Sequence, residues 1–234
     1  MSKSGGESIG EEKDKLVYII GIGDLAREIC HAIDEYNKAG IEKYVVRGFL
    51  DPIRSGKLVW EGLPVLAMDS FDASLAEPAH CIIGIGTPQY IRLARQTATA
   101  KGVRQWASVV HPRAYLSPGV ELGKGVYVAA HATVAIATRL GDSCIVNQNV
   151  SIGHDVVIGR HSVVSPGCIL SGKVELGDGV FLGSGAVLLP GVKIGAESQV
   201  SANCVVSHDV PPGVKVMPVT RNMELPREKA TPSS

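Results

Sequence analysis

The chain has 234 residues, 45% of them apolar and 20% charged, and its 23 basic side chains balance 23 acidic ones. That length supports one large domain or two modest ones, and zero net charge leaves no basic footprint for nucleic acid or an anionic membrane surface. No run approaches the ~20 apolar residues of a membrane span, and residues 1–15 (MSKSGGESIGEEKDK) lack the apolar core of a secretory signal, so a cytoplasmic protein is expected.

After that polar tail, LVYII (16–20) reads as a short buried strand running into GIGDLA. Leu25, Ile29, Ile33 and Tyr36 then recur at helical spacing, with Gly40 as the stop. YVVRGFLD forms a second strand ending on Asp51, LPVLAMDS a third and HCIIGIG a fourth, and Thr87-Pro88 opens a helix running to about Gly102. Strands alternating with helices predict a small Rossmann-like α/β domain on a parallel sheet. Gly21 and Gly23 lie at a strand end before a helix, where backbone N–H groups and the helix dipole can meet a phosphate. Asp51, 28 residues past Gly23, ends the next strand, where a carboxylate can accept hydrogen bonds from a ribose or base.

From Val110 onward every sixth residue to Val206, seventeen positions in all, is Leu, Ile or Val. A second clock of Gly123, Gly141, Gly159, Gly177 and Gly195 runs at eighteen. Six is neither the strand period nor the helix period. It fits a three-sided prism with one hexapeptide per side and eighteen residues per coil, about five coils in all, with glycine and other turn residues at the corners where φ is positive. The five cysteines are unclustered and sit in apolar runs, which suits small buried hydrophobes rather than disulfides or a metal site.

His154 falls two residues past the inward Ile152, so it stands at a corner pointing out of the coil, and Gly172, eighteen residues on, stacks beside it. An imidazole next to an open glycine backbone suits acyl transfer, with the ring as general base and an N–H holding the oxyanion. Asp155 can orient the ring only if the corner turns it back, because strand neighbours face opposite ways; Asn147 is the alternative. His111 marks entry into the prism, and His131, His161 and His208 are corner or surface residues.

The ordered series YIIGIGDLAREI, GFLD, CIIGIGTPQYIRLA, VVHPRAYLSPGVELGKGVYV and VNQNVSIGHDVVIG resembles the sugar acetyltransferases of the sialic acid O-acetyltransferase and bacillosamine-pathway N-acetyltransferase type. The resemblance implies a tail (1–15), a nucleotide-sugar-binding α/β domain (16–108), a left-handed parallel β-helix of hexapeptide repeats (109–210) and a C-terminal cap and tail (211–234). It implies a cytoplasmic homotrimer that moves an acetyl group from acetyl-CoA to an amino or hydroxyl group of a nucleotide-linked sugar, in precursor synthesis for surface glycans, with no metal. By the same resemblance His154, Asp155 and Asn147 are the catalytic set; Gly172, Gly153 and Pro190 line acetyl-CoA; Gly21, Gly23, Asp24 and Asp51 hold the nucleotide sugar. Three positions depart from the family pattern: Val163 stands where a second histidine is common, Gly153 where an acid often precedes the catalytic histidine, and Asp24 where histidine or glycine is usual. The rival readings are a γ-class carbonic anhydrase-like metalloenzyme, a non-catalytic nucleotide-sugar-binding β-helix, and an acyltransferase acting on a small amino acid.

Overall fold

In the computed structural model, residues 14–40, 43–51, 58–71 and 79–218 are described. The N-terminal part holds β1 (Lys15–Ile20), α1 (Asp24–Lys38), β2 (Tyr44–Asp51), β3 (Leu58–Trp60), β4 (Leu63–Ala67), β5 (His80–Ile83), α2 (Pro88–Ala100) and β6 (Gln105–Trp106), with sheet order β3-β4-β2-β1-β5-β6. β1 lies at the centre, parallel to both β2 and β5, and its apolar run is buried on both faces, as expected for a strand covered by helices. α1 buries Ile29, Ile33 and Tyr36 of the stripe read from the sequence, with Ala26 and Ala32 beside them and Leu25 only partly covered, and ends at Ala39 with Gly40 at φ +70°. Thr87 caps α2 in an extended conformation with Pro88 in the first turn, but its hydroxyl makes no capping bond.

The sheet is not wholly parallel. β3 and β4 form an antiparallel hairpin about Glu61-Gly62, both at positive φ (50° and 73°), the mark of a tight two-residue turn. The sequence reading did not isolate β3, because three residues carry no periodicity. Trp60 on β3 meets Phe49 on β2 edge to face at 4.7 Å.

From Val109 the chain winds as a left-handed parallel β-helix. Its three faces are sheets of seven, six and five two-residue strands, each pairing eighteen residues on: Val128 with Val146, Val134 with Ile152, Leu140 with Ile158. Eighteen strands in threes make about six coils, slightly more than the five the sequence suggested. The second residue of each strand points inward, and from Val128 to Val206 these aliphatics are buried. Val110 and Leu116 are only partly covered and Leu122 is 37% exposed, because no coil among the described residues lies beneath the first one. Cys144, Cys168 and Cys204 fill the same interior.

Two different demands separate the glycines and corners. Fifteen positions six residues apart, from Gly119 to Asn203, have positive φ, and Ala137, Asp155, His161 and Lys173 are among them. The glycines spaced by eighteen form another set: a Cβ on Gly123 would stand 2.6 Å from the Asp142 nitrogen, and one on Gly141 2.7 Å from that of Arg160. They are glycine because the next coil leaves no room, and not, as the sequence reading had it, because the corner needs φ > 0.

The left-handed position costs an alanine about 1–2 kcal/mol, while glycine loses about 0.5–1 kcal/mol more chain entropy. Ala137 is exposed, so no packing is lost on truncation. Ala137→Gly is therefore expected to raise stability by about 0.5–1 kcal/mol, read as a higher urea midpoint at unchanged slope.

The outward residues give each face its own chemistry. The first presents Val109, Tyr127, Ile145 and Val163, all buried in one core with Ile33, Ile91 and Ala98 of the N-terminal part. The α/β part is thus packed flat on this face, and the core crosses the change of repeat at about 108. Arg95 of α2 fastens one edge: it meets Asp142 at 3.0 Å and Ser143 Oγ at 2.7 Å, and lies 3.9 Å from the Trp106 ring centre. Gln148 donates to Glu28 of α1 at the other edge, 2.8 Å. The third face is charged, with Glu175 paired to Lys193 at 2.9 Å. The second face exposes Tyr115, Ile169 and Val205, with none of the described residues over them.

Candidate active site at one edge of the prism

The edge between the second and third faces carries, coil upon coil, Ile136, His154, Gly172, Pro190 and His208. His154 follows Ile152 by two residues and its side chain is 57% exposed, pointing outward. The next residue, Asp155, has φ +57°. A left-handed residue reverses the usual alternation of strand neighbours, and this is the turning back that Asp155 needed. His154 Nδ1 lies 2.7 Å from Asp155 Oδ2. A carboxylate only accepts, so Nδ1 carries the proton, and in the neutral ring the lone pair is on Nε2.

That lone pair leans over Gly172. A Cβ on Gly172 would stand 2.6 Å from Nε2 and 2.8 Å from Cε1, so the ring lies against a bare Cα. Lys173 N–H donates to the His154 carbonyl at 2.9 Å, and Gly191 N–H to that of Gly172 at 3.0 Å, which stacks the three corners rigidly. The Gly172 N–H itself has no hydrogen-bond partner among the described residues. At the equivalent corners Lys124 N–H donates to Asp142 and Arg160 N–H to Asp178, whereas the Gly172 N–H has an imidazole beside it. Gly153 is equally constrained: a Cβ there would stand 2.7 Å from the Gly172 nitrogen. An acid in its place would hit the next coil.

Asn147 is not brought to His154. It sits at the preceding edge, after the first face, and donates to the Val164 carbonyl at 3.0 Å. Within one chain it therefore cannot orient the imidazole. Val163 does not line the His154 edge either, since it is buried on the first face against the α/β part. Pro190 is exposed two coils above His154. His131, His154 and His161 stand on three different edges, and among the described residues no group of three or more His, Cys, Asp or Glu could hold a metal ion. His111 Nδ1 accepts the Arg113 N–H at 3.1 Å, a local turn contact at the entry to the prism.

In the α/β part, Gly21 and Asp51 lie side by side at the carboxyl ends of adjacent parallel strands, where Ile20 pairs with Leu50. Gly21 N–H donates to the Leu50 carbonyl at 2.8 Å, so it is not free to meet a phosphate. Its φ of +108° and its contact with Gly84 and Ile85 explain the glycine instead. Gly23 caps α1 in an extended conformation, and a Cβ there would meet nothing within 4 Å. Asp24 is the exposed first residue of α1, and Asp51 is buried. The sequence reading missed Gly84, which a Cβ would drive into Ala26 at 2.6 Å, and the Arg95 clamp; neither has a local signal.

Residues 137–172 and 173–208 match the bacterial transferase hexapeptide family of six repeats. Fold and repeat are those of left-handed β-helix proteins built on hexapeptide repeats. Among solved structures it is similar to perosamine N-acetyltransferase from Caulobacter crescentus, as a histidine variant in complex with CoA and GDP-perosamine. That likeness has 28% identity and a TM-score of 0.72, over 85% of this chain and 91% of that one. The acetyltransferase domain of PglB from Neisseria gonorrhoeae, in complex with acetyl coenzyme A, has the same fold at 23% identity and TM-score 0.73, covering 87% and 96%. So does WeeI from Acinetobacter baumannii at 22% and 0.75, covering 86% and 95%. An uncharacterized protein of Acanthamoeba polyphaga mimivirus is 28% identical over 131 residues, 56% of this chain and 24% of that protein. The chain thus spans about a quarter of the length of the curated relative it matches. Among the described residues, no helix is long and apolar enough to cross a membrane.

Proposed function

We propose that the protein is an acetyl-CoA-dependent acetyltransferase acting on an amino group of a nucleotide-linked sugar. The observation that carries this reading is the His154 imidazole, tied at Nδ1 to Asp155 and leaning at Nε2 over the bare Gly172 backbone. Nε2 takes a proton from the attacking amine as nitrogen bonds to the thioester carbon, and the Gly172 N–H steadies the oxyanion. Collapse of the tetrahedral adduct breaks the C–S bond, and the imidazolium returns the proton to the departing CoA thiolate. A hydroxyl acceptor would react by the same proton path. Gly172, Gly153 and Pro190 form the wall against which the pantetheine arm runs. The carboxyl ends of β1 and β2, with Gly23, Asp24 and Asp51, receive the nucleotide. The similarity to an enzyme solved with both CoA and GDP-perosamine supports the pairing of these two sites in one chain.

A convex edge gives one wall of a cleft, and burying a cosubstrate needs a second. The exposed apolar second face supports a homotrimer in which a neighbour supplies that wall and its own Asn147. Sedimentation at three times the 24.6 kDa chain mass tests the assembly. The activity is tested by thiol release from acetyl-CoA against a panel of nucleotide-linked 4-amino and hydroxy sugars. Release with an amino sugar is expected; tight nucleotide-sugar binding with no release from any acceptor would leave only the binding-protein reading.

A further inference from the structure

The edge that carries His154-Asp155 bears a second His-Asp pair, His208-Asp209, three coils higher. Each histidine follows an inward aliphatic by two residues, Ile152 and Val206. The upper pair is built differently. The repeat loses two residues here, so that Val210 bridges Ile194, sixteen residues back, instead of residue 212 at eighteen. Asp209 has no left-handed φ, and its carboxylate turns to accept the Lys193 N–H at 2.9 Å. The exposed His208 ring consequently makes no hydrogen bond among the described residues, whereas that of His154 is held by its acid.

We infer that His208 is a contact for the diphosphate of acetyl-CoA, an inference that rests on the acetyl-CoA reading of the His154 edge. The reach of the cosubstrate fits this position. Three coils at the sheet spacing of about 4.8 Å put His208 roughly 14 Å above His154. Thirteen bonds separate the CoA sulfur from its nearer phosphorus, and an extended chain covers about 3.5 Å per three bonds, or about 15 Å. The prism also sets the direction of the arm. Below His154 the edge has only Ile136 and Pro118, about 10 Å of prism, so an arm laid downward overruns the bottom coil. The upward path has a suitable lining. Going up, the edge offers the flat Gly172 and Pro190 and the 40% exposed Leu189, surfaces that suit the apolar stretch of the arm. Lys173, exposed one coil above His154, adds a positive charge beside the path, and among the described residues of this edge Asp209 is the acid at its upper end.

The test is direct binding of CoA and of pantetheine, which lacks the diphosphate and adenosine, to the wild-type chain, His208→Ala and His208→Lys. His208→Ala is expected to weaken CoA binding about tenfold, the worth of one hydrogen bond to a charged group, with pantetheine binding unchanged. His208→Lys is expected to restore CoA binding. Equal CoA affinity in His208→Ala and wild type, an equal loss of both ligands, or failure of lysine to restore binding would each overturn the inference. Wild-type protein that binds no CoA would overturn the acetyl-CoA reading and this one with it; CoA binding indifferent to residue 208 would overturn this one alone.

Discussion

Replacing His154 by alanine is expected to lower kcat by about 10²-fold or more with a nucleotide-linked amino sugar, the usual cost of a lost general base. KM for acetyl-CoA should change little, because the imidazole meets the acceptor's proton and not the arm of the cosubstrate. The stability of the fold should also hold. His154 is exposed, its ring supports no buried neighbour, and the corner is fixed by backbone bonds that alanine keeps, Lys173 N–H to the residue 154 carbonyl among them. An amine that arrives as R–NH₃⁺ sheds one proton to solvent before it can attack, and the second leaves to His154 as nitrogen bonds to the thioester carbon. Near-normal kcat in the alanine variant would mean that this second proton leaves without the imidazole, and the base assignment would fall.

The second large effect is expected at Gly172. Gly172→Ala puts a methyl where Nε2 now sits 2.6 Å away, well inside contact distance. Gly172 has no left-handed φ, so alanine carries no backbone penalty and the coil can remain folded. The side chain of His154 has to give, and swinging it clear of the methyl breaks the 2.7 Å contact with Asp155 that fixes its tautomer. Misplacing a catalytic group by about 1 Å costs on the order of 10²-fold in rate, so kcat should fall by about that factor with a thermal midpoint close to wild type. A Gly172→Ala variant with wild-type kcat would show that the ring needs neither its present place nor the open Cα beside it. Together the two variants separate loss of the base from its displacement: the first removes the nitrogen, while the second leaves it present and wrongly aimed.

Much of this architecture was legible in the residues. A hexad of aliphatics at seventeen successive positions has one geometric solution, and the structure pairs those positions at eighteen with the side chains inside. The stacking of His154 beside Gly172 followed from the same arithmetic. The helix stripes of α1 and the cap at Thr87-Pro88 were equally readable, because they depend on near neighbours in sequence. Where the reading erred, a non-local cause is visible. Gly123 and Gly141 looked like turn glycines, yet the coil above excludes their Cβ atoms. Asn147 looked like a partner for His154, yet seven residues is more than one hexad and carries it to another edge. Gly21 looked like a phosphate ligand, yet its N–H is bonded to the neighbouring strand.

The sequence by itself determined the prism, its register and the edge on which His154 stands, because a repeat of six turns position along the chain directly into position around an axis. Only the tertiary structure decided what each face is for. Tyr127, Ile145 and Val163 are apolar in the sequence as Ile169 and Val205 are, but the first group lies under the α/β part and the second stays exposed. Only the tertiary structure, too, turned Asp155 toward His154. A left-handed φ at an aspartate is set by coils stacked above and below it, contacts between residues eighteen apart that no local pattern records.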